Sequence, residues 1–330
     1  MMSHNVHTSQ KICWGLIGCG DIAEKRVAPA FLELNSCELI AVNRADYDRA
    51  ESFAQGFGAA KWYRHYEQLI ADPEIDAVYI ATPVNLHAEQ TIAAAEAGKH
   101  VLCEKPMAMN VAECDWMIAT GNSAGVKLGI AYYRHFYPVV LRAKELVDSG
   151  MIGEVMLAQI NAFEWFNLKE GDPSYWRMVK EQAGGGPMFD FGCHRLEVLL
   201  HILGPIRTLK GLHGNVLFDR NMEDTTVTCY QFERGTLGTI SVSHGAFEPQ
   251  DTLDIFGSKG SIHIAVLNQG DLTLSISGHI TNESHPPHHN LHLPLIEDFT
   301  ESILNDREPK VSGHTGREVA RLEEVLYSAR

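Results

Sequence analysis

The stretch ICWGLIGCGDIA (residues 12–23) decides the fold, because it joins an apolar run to small residues at fixed spacing. Gly18, Gly20 and Ala23 match the pattern G-x-G-x-x-G/A at the end of a predicted strand. In this pattern the first glycine permits a tight turn, the second lets the backbone approach a pyrophosphate, and the third small residue lets the helix pack closely on the sheet. The N-terminus of that helix also offers free N–H groups to an anion. The stretch therefore predicts a dinucleotide-binding turn.

Short apolar runs alternate with amphipathic stretches on the C-terminal side of this turn, which predicts β-α units around a parallel sheet buried on both faces. Gly98 has the left-handed cap position of a helix over 88–98, and Asn110 and Glu113 have capping-box spacing at the start of the next helix. We therefore expect an α/β fold with a doubly wound Rossmann domain over residues 1–131. The predicted strands are 12–18, 37–42, 59–63, 75–81, 100–105 and 126–132.

Beyond Gly150 the hydrophobic pattern changes to a period of two with turn residues between the runs, which is typical of antiparallel strands. We expect a second, α+β domain over residues 132–330, built on a largely antiparallel open sheet and ending in helical segments. A sheet with one apolar and one half-polar face often pairs with its copy, so we expect a homodimer or homotetramer. The predicted strands are 154–165, 225–235, 236–246, 251–260 and 261–267, and the predicted final helices are 296–309 and 316–329.

The composition indicates a small-molecule partner. With 27 Lys and Arg against 42 Asp and Glu, the formal net charge is −15, which disfavours nucleic acid and anionic membranes as partners. The seven cysteines include no C-x-x-C pair and favour a reducing compartment. The first residues lack the features of a signal peptide, and no apolar run reaches the ~18 residues of a membrane span. We expect a cytoplasmic protein.

The residues after the second strand bear on the choice between NAD and NADP. An NAD-selective site usually places a carboxylate there against the ribose 2′-hydroxyl, whereas this chain has Asn43 and Arg44. A cation at this position favours the 2′-phosphate of NADP, with Asn43 as a hydrogen-bond donor and Arg44 as the phosphate or adenine partner. The alternative is a solvated Arg44, with Asp46 or Asp48 reaching the ribose. We expect NADP rather than NAD.

Six motifs follow one another at defined places in the chain, and they are the GCGDIA turn, ATPVNLH (81–87), EKP (104–106), YYRHFYP (132–138), YWR (175–177) and GGGPMFDFGCH (184–194). Together they resemble the Gfo/Idh/MocA family of NAD(P)-dependent sugar and cyclitol oxidoreductases. The sequence departs from the family pattern at Tyr133, where an asparagine is common, and at His135 before Phe136. The resemblance covers most of the chain and implies hydride transfer between nicotinamide and a hydroxyl or carbonyl carbon of a sugar, sugar derivative or cyclitol.

The resemblance also implies the roles of individual residues. Lys105 matches the catalytic lysine, His194 shares the proton transfer, and Asp190 binds substrate hydroxyls or holds Lys105 and His194 in place. Asn85 has a second interpretation as the cap of the next helix. The further implied cofactor contacts are Asp21, Ile22, Thr82, Pro83, Asn85, His87 and Glu104 beside Gly18, Gly20 and Lys105, and the implied substrate contacts are Tyr132, Arg134, Trp176 and Arg177.

The stretch HPPHHNLH (285–292) contains four histidines and raises the question of a metal. Its spacing matches no zinc signature and it contains two prolines, so we expect solvated histidines and no metal. Two other functions stay open. One is a ligand-sensing regulator without chemistry, which would not need to retain Lys105, Asp190 and His194 together. The other is an enzyme that uses the nicotinamide transiently, with no net redox change.

Overall fold

The first sheet forms the frame for the nucleotide turn. The computed structural model describes residues 11–328. Within this range the first sheet has six strands, all parallel, which confirms the Rossmann prediction. Its strands are β1 (Ile12–Ile17), β2 (Cys37–Asn43), β3 (Lys61–Tyr63), β4 (Ala77–Ile80), β5 (His100–Cys103) and β6 (Leu128–Ile130). Its helices are α1 (Ala28–Glu33), α2 (Tyr47–Phe57), α3 (Tyr66–Ile70), α4 (His87–Glu96) and α5 (Val111–Ala124), with a π-helical turn (Ala23–Val27) leading into α1.

The strand order β3-β2-β1-β4-β5-β6 reverses direction between β1 and β4. At such a switch point the carboxyl ends of the strands leave a crevice that can hold a ligand. The local caps follow the sequence: the Asn110 side chain accepts a 2.9 Å hydrogen bond from the Glu113 N–H, and Gly98 has a left-handed φ of 75° after α4. Both predicted caps are confirmed.

The second sheet has eight strands in the described chain, in the order β14-β13-β12-β11-β7-β10-β9-β8. All its neighbours are antiparallel except β7 and β10, which confirms a largely antiparallel sheet. Its strands are β7 (Val155–Trp165), β8 (Ile206–Gly214), β9 (Thr225–Phe232), β10 (Leu237–Ser243), β11 (Gly245–Gly257), β12 (Gly260–Ile264), β13 (Asp271–Ile276) and β14 (His279–Ser284). The remaining helices are α6 (Pro138–Asp148), α7 (Lys180–Ala183), α8 (Cys193–Leu203), α9 (Leu293–Leu304) and α10 (Gly313–Ser328), with a π-helical turn (Met188–Gly192) before α8.

Three strands of this sheet were not predicted. β14 is almost wholly exposed and polar at the edge of the sheet, and β8 at the opposite edge is exposed along most of its length. Neither has the clean alternation that marks a half-buried strand. β13 alternates over only four residues, so its period was too short to separate it from a turn.

The last two helices return to the first sheet. The Phe299 ring of α9 lies 5.8 Å from the Trp14 ring of β1, and Gly129 of β6 leaves room for Phe299, because a Cβ there would come within 2.6 Å of it. α10 packs against α5 and β6. The boundary between the two domains, predicted to lie between residues 131 and 132, stays a prediction. Among the described helices, none combines the length and apolarity that crossing a bilayer requires.

Candidate active site

The turn after β1 has the backbone that its glycines predict. Gly18 has a φ of 95°, and a Cβ on it would lie 2.6 Å from the carbonyl oxygen of Ala81. A Cβ on Gly20 would meet no atom within 4 Å, so the space in front of Gly20 is open. Ala23 is fully buried against the sheet. The turn therefore fits a dinucleotide, because its backbone N–H groups border an open cradle that a side chain at Gly20 would fill.

A cavity of about 960 Å³ extends from this turn to the second sheet. It brings together most of the predicted site residues from both halves of the chain. Six predicted residues do not line it, and they are Gly18, Asn43, Pro83, Asn85, His87 and Tyr132. The predicted residues that line it are Gly20, Asp21, Ile22, Arg44, Thr82, Glu104, Lys105, Arg134, Trp176, Arg177, Asp190 and His194.

Lys105 and His194 both line this cavity. Lys105 follows β5, and its Nζ donates a 2.7 Å hydrogen bond to the backbone carbonyl of Asp190. Asp190 lies in the π-helical turn that runs into α8, so His194 lies one helical turn further along. The arrangement places an amine from the first sheet next to an imidazole from the second part of the chain.

The Asp190 carboxylate contacts other partners than those expected. Arg177 Nε donates to Oδ1 at 3.0 Å while a terminal nitrogen of Arg177 contacts Oδ2, and His244 Nε2 lies 3.2 Å from Oδ2. Burial alone would raise the pKa of Asp190, but Arg177 and His244 hold that pKa well below its usual value. Asp190 is therefore an ionised residue that positions Arg177, and only its backbone carbonyl holds Lys105.

His244 is a residue that sequence reasoning missed. It is fully buried between β10 and β11, and its Nδ1 lies 3.0 Å from a terminal nitrogen of Arg220. A single histidine in a strand-rich segment carries no spacing signal, so only its contact with Asp190 identifies it. Glu164, which lines the cavity next to Asp190, was missed for the same reason. Burial, followed by the charge of Asp190, raises the pKa of Glu164.

His194 is held as a neutral imidazole. Burial, with the charges of Arg134 and Lys105, lowers its pKa well below the usual value. Its Nδ1 has no hydrogen-bond partner among the described residues. The Tyr132 ring packs edge-on against it from behind the cavity, at 5.6 Å between centroids. His194 itself lines the cavity, whereas Tyr132 supports His194 instead of lining the cavity.

Glu104 is buried beside Lys105 and bonded on two sides. Its Oε1 accepts a 2.8 Å hydrogen bond from the Tyr79 hydroxyl and lies 3.3 Å from His292 Nε2. Burial alone would raise the pKa of Glu104, but His292 holds it below the usual value. The expectation that every histidine of 285–292 is solvated is wrong for His292, which is 1% exposed. His292 is the last residue before α9, which begins at Leu293.

The opposite end of the cavity carries two arginines. Arg44 lines it and donates to the Cys19 carbonyl, and Arg49 of α2, which was not predicted, also lines it. The Asn43 amide donates to the Tyr63 carbonyl at 3.1 Å, which ties β2 to β3 and leaves this donor engaged. Asp46, the alternative partner of the ribose, instead caps α2, where its side chain accepts a 3.2 Å hydrogen bond from the Arg49 N–H.

His87 supports the loop after β4 by contacts with two backbone carbonyl groups. The two ring nitrogens of His87 each lie 2.9 Å from a backbone carbonyl oxygen, one of Thr82 and one of Pro106. His87 thus connects the ends of β4 and β5 without lining the cavity. Asn85 does not cap α4 as the alternative interpretation had it, because Leu86 is the N-cap and makes no side-chain bond there.

Arg134 and Arg195 extend the cavity beyond His194. The buried Arg134 donates to the Tyr133 hydroxyl at 2.7 Å and stacks over the Tyr133 ring. Arg195, which was not predicted, donates twice to Asp251 Oδ1, at 2.7 and 3.1 Å. On the other side the Arg177 guanidinium lies 4.1 Å from the centre of the Phe166 ring. Guanidinium groups and aromatic faces suit a polyhydroxylated ligand.

Comparison with known proteins places this geometry in a family. A family model described as "Oxidoreductase family, NAD-binding Rossmann fold" (GFO_IDH_MocA) matches residues 12–132, and the "GFO/IDH/MocA C-terminal domain" matches residues 140–263. The chain is 32% identical over 289 residues to "Oxidoreductase P35" of Formosa agariphila, covering 87% of this chain and 89% of that protein. It is 28% identical over 317 residues to 1,5-anhydro-D-fructose reductase of Ensifer adhaerens, covering 92% and 91%.

Two solved structures have a fold similar to that of this protein over nearly its whole length. Aldose-aldose oxidoreductase from Caulobacter crescentus, complexed with glycerol, has a TM-score of 0.88 at 28% identity and covers 97% of both chains. Levoglucosan dehydrogenase, in complex with NADH and levoglucosan, has a TM-score of 0.90 at 23% identity and the same coverage. The second likeness shows the shared fold alone.

Proposed function

Because this chain belongs to the Gfo/Idh/MocA oxidoreductase family, we propose that it transfers a hydride between a nicotinamide cofactor and a hydroxyl or carbonyl carbon of a sugar, sugar derivative or cyclitol. The observation that carries the proposal is the single cavity that joins the Gly20 turn to Lys105 and His194. The names of 1,5-anhydro-D-fructose reductase and aldose-aldose oxidoreductase denote sugar-like substrates, which supports this substrate class.

The chain's own residues supply the proton chemistry and the orientation. When bound, the nicotinamide supplies or accepts the hydride. Lys105 Nζ, fixed by the Asp190 carbonyl, exchanges the proton of the substrate hydroxyl as general acid or base. Neutral His194, which lines the cavity, bonds the same hydroxyl, and Arg177, held by Asp190, binds a neighbouring hydroxyl. Trp176, which lines the cavity, covers the apolar face of the sugar.

The test is turnover with a panel of aldoses, keto-sugars, 1,5-anhydro-sugars and cyclitols, followed by absorbance at about 340 nm with both nicotinamide cofactors. We expect turnover with at least one polyol class. Lys105→Ala should lower kcat by at least about 100-fold while cofactor affinity stays within about tenfold. Full activity of Lys105→Ala would remove Lys105 from the mechanism. Tight cofactor binding without turnover on the panel would favour a sensing regulator, and product formation without net absorbance change would favour the redox-neutral enzyme.

We further propose that the cofactor is NADP. Arg44 and Arg49 both line the cavity, whereas neither Asp46 nor Asp48 lines it, and Asp46 is engaged as a helix cap. A guanidinium pair suits a 2′-phosphate. In a fluorescence titration Arg44→Ala should weaken NADPH binding by about 10-fold or more, and NADH binding by less than about threefold. Equal weakening of both cofactors would contradict the NADP preference.

We also propose a cytoplasmic homo-oligomer built through the second sheet. The outward face of that sheet carries exposed apolar side chains on neighbouring strands, with Leu212 paired to Val227 across β8 and β9 and Leu237 on β10. Exposed apolar side chains on neighbouring strands are a feature of protein interfaces. All seven cysteines are free thiols, which supports a reducing compartment.

A further inference from the structure

The loop between β14 and α9 brings two histidines to a carboxylate of α1. His289 Nε2 lies 3.1 Å and His288 Nε2 lies 3.9 Å from the carboxylate oxygens of Glu33. One ligand atom of each of the three residues lies within 4.8 Å of the other two. Glu33 precedes His289 by 256 positions, so the spacing of the histidines alone does not reveal the cluster.

These distances suit a four-coordinate metal ion. Zinc binds imidazole nitrogens and carboxylate oxygens at about 2.0–2.2 Å, so neighbouring ligand atoms around a tetrahedral ion lie ~3.3–3.5 Å apart. The two measured separations fall on either side of that range, and small side-chain rotations would equalise them. His289 and Glu33 are exposed, which leaves the remaining coordination positions to water.

The orientation of His288 is a second, independent observation. Its Nδ1 lies 3.0 Å from the carbonyl oxygen of Asn290 and 3.2 Å from the backbone nitrogen of the same residue. A metal-bound histidine almost always donates its other ring N–H to a group such as this carbonyl, which fixes the ring and leaves the ligating nitrogen with its lone pair. The tautomer that donates Nδ1–H to the Asn290 carbonyl is therefore the one that binds a metal, because it leaves the lone pair on Nε2, 3.9 Å from Glu33.

The backbone of this loop is already fixed to the element that carries Glu33. The Asn290 side chain donates to the Arg26 carbonyl at 2.9 Å, and Arg26 donates in return to the His289 carbonyl at 3.1 Å. Arg26 lies in the π-helical turn that continues into α1. The ligands are therefore held near their binding positions before an ion arrives, which lowers the entropy cost of binding.

We propose that Glu33, His288 and His289 form a binding site for a divalent transition-metal ion of the Zn²⁺ class. Two imidazoles and one carboxylate favour Zn²⁺, Co²⁺ or Ni²⁺ over Mg²⁺ and Ca²⁺, which prefer oxygen ligands. The site is separate from the cavity described above, because none of its three ligands lines that cavity. The bound ion ties the loop to α1, and the same loop ends at His292, which bonds Glu104.

A second cluster, formed by Glu164, Asp190 and His244, has similar spacing but a different chemistry. Arg177 donates to both oxygens of Asp190, and the ring nitrogens of His244 face Asp190 and Arg220. The Asp190 carboxylate and the His244 ring are thus already engaged by other residues. This cluster belongs to the substrate cavity, and we assign no metal to it.

The test is calorimetric titration of the full-length chain with Zn²⁺ at pH 7.5, supported by the thermal midpoint at increasing Zn²⁺. We expect one site with a Kd in the micromolar range and a Tm that rises with ion concentration. Glu33→Gln and His289→Ala should each weaken binding by at least about tenfold.

The matched control is His314→Ala, which removes an exposed histidine of α10 and should leave the Kd unchanged. All variants are made in a His4→Ala/His7→Ala background, so that these two histidines do not contribute to the titration. Unchanged far-ultraviolet circular dichroism and cofactor affinity would show that the variants are folded. Zn²⁺ binding by Glu33→Gln and His289→Ala with the Kd of the parent, or no parent binding below about 1 mM, would overturn the proposal.

Discussion

At the scale of single residues, Glu323 of α10 combines a charge with an apolar environment. It is 1% exposed, and neither of its carboxylate oxygens has a hydrogen-bond partner among the described residues. Burial raises the pKa of Glu323 well above its usual value, although the charge of Lys105 opposes the shift. The folded protein therefore holds Glu323 protonated at a pH where the unfolded chain has released the proton.

This pKa gives the stability a pH dependence of known sign. The contribution of protonated Glu323 is fully present below an unfolded-state pKa of about 4.3 and is lost as pH rises, by at most about 1.4 kcal/mol per pH unit. We expect Glu323→Gln to remove this loss. The difference between the Tm of the variant and the Tm of the wild type should therefore increase, in favour of the variant, from pH 5 to pH 8. Calorimetry at three pH values measures the difference. A constant Tm difference over this range would show that Glu323 does not titrate differently on folding.

At the scale of elements, the connection between β1 and the following helix depends on two glycines for different reasons. Gly18 needs a left-handed backbone and has no room for a Cβ, whereas Gly20 has open space in front of it. The first requirement concerns the fold and the second concerns the ligand. The two positions therefore form a matched pair for separating stability from cofactor binding.

We expect Gly18→Ala to lower the Tm by several degrees, because its Cβ would clash with the Ala81 carbonyl and the backbone would be strained. Gly20→Ala should leave the Tm within about 2 °C but weaken cofactor binding at least about tenfold, since its methyl group enters the cradle. Differential scanning fluorimetry and a fluorescence titration measure the two effects. A Gly20→Ala variant that binds cofactor normally would mean that the diphosphate does not approach this residue.

At the scale of the whole molecule, the outward face of the second sheet is the predicted surface of association. A Val227→Glu/Leu237→Glu double variant places like charges on this face and should shift the chain from dimer or tetramer to monomer in sedimentation-velocity experiments. Leu141→Glu, at an exposed position of α6 away from this sheet, is the control and should keep the wild-type assembly. A monomeric wild type, or a double variant with unchanged mass, would contradict association through this sheet.

The amino-acid sequence alone was sufficient for the features that depend on local backbone preference and periodicity. The turn at Gly18 and Gly20, the parallel strands around it and the cap at Asn110 each require only a few neighbouring residues. Lys105 and His194 were predicted from the resemblance of their motifs to a family, and both line the cavity, although their catalytic roles stay a prediction. For such features the residue types themselves limit the conformations that the chain can adopt.

Only the tertiary structure decided which distant side chains complete the cavity. His244 reaches Asp190, His292 reaches Glu104, and Arg195 pairs with Asp251, across separations of 54, 188 and 56 residues. It also decided that β7 lies beside β10 in parallel. These contacts depend on which strands pair and how the helices pack on them, and the energy of a packed interface is shared by residues from several elements. No local pattern of apolar and polar residues contains that information, so the partners became visible only in the folded chain.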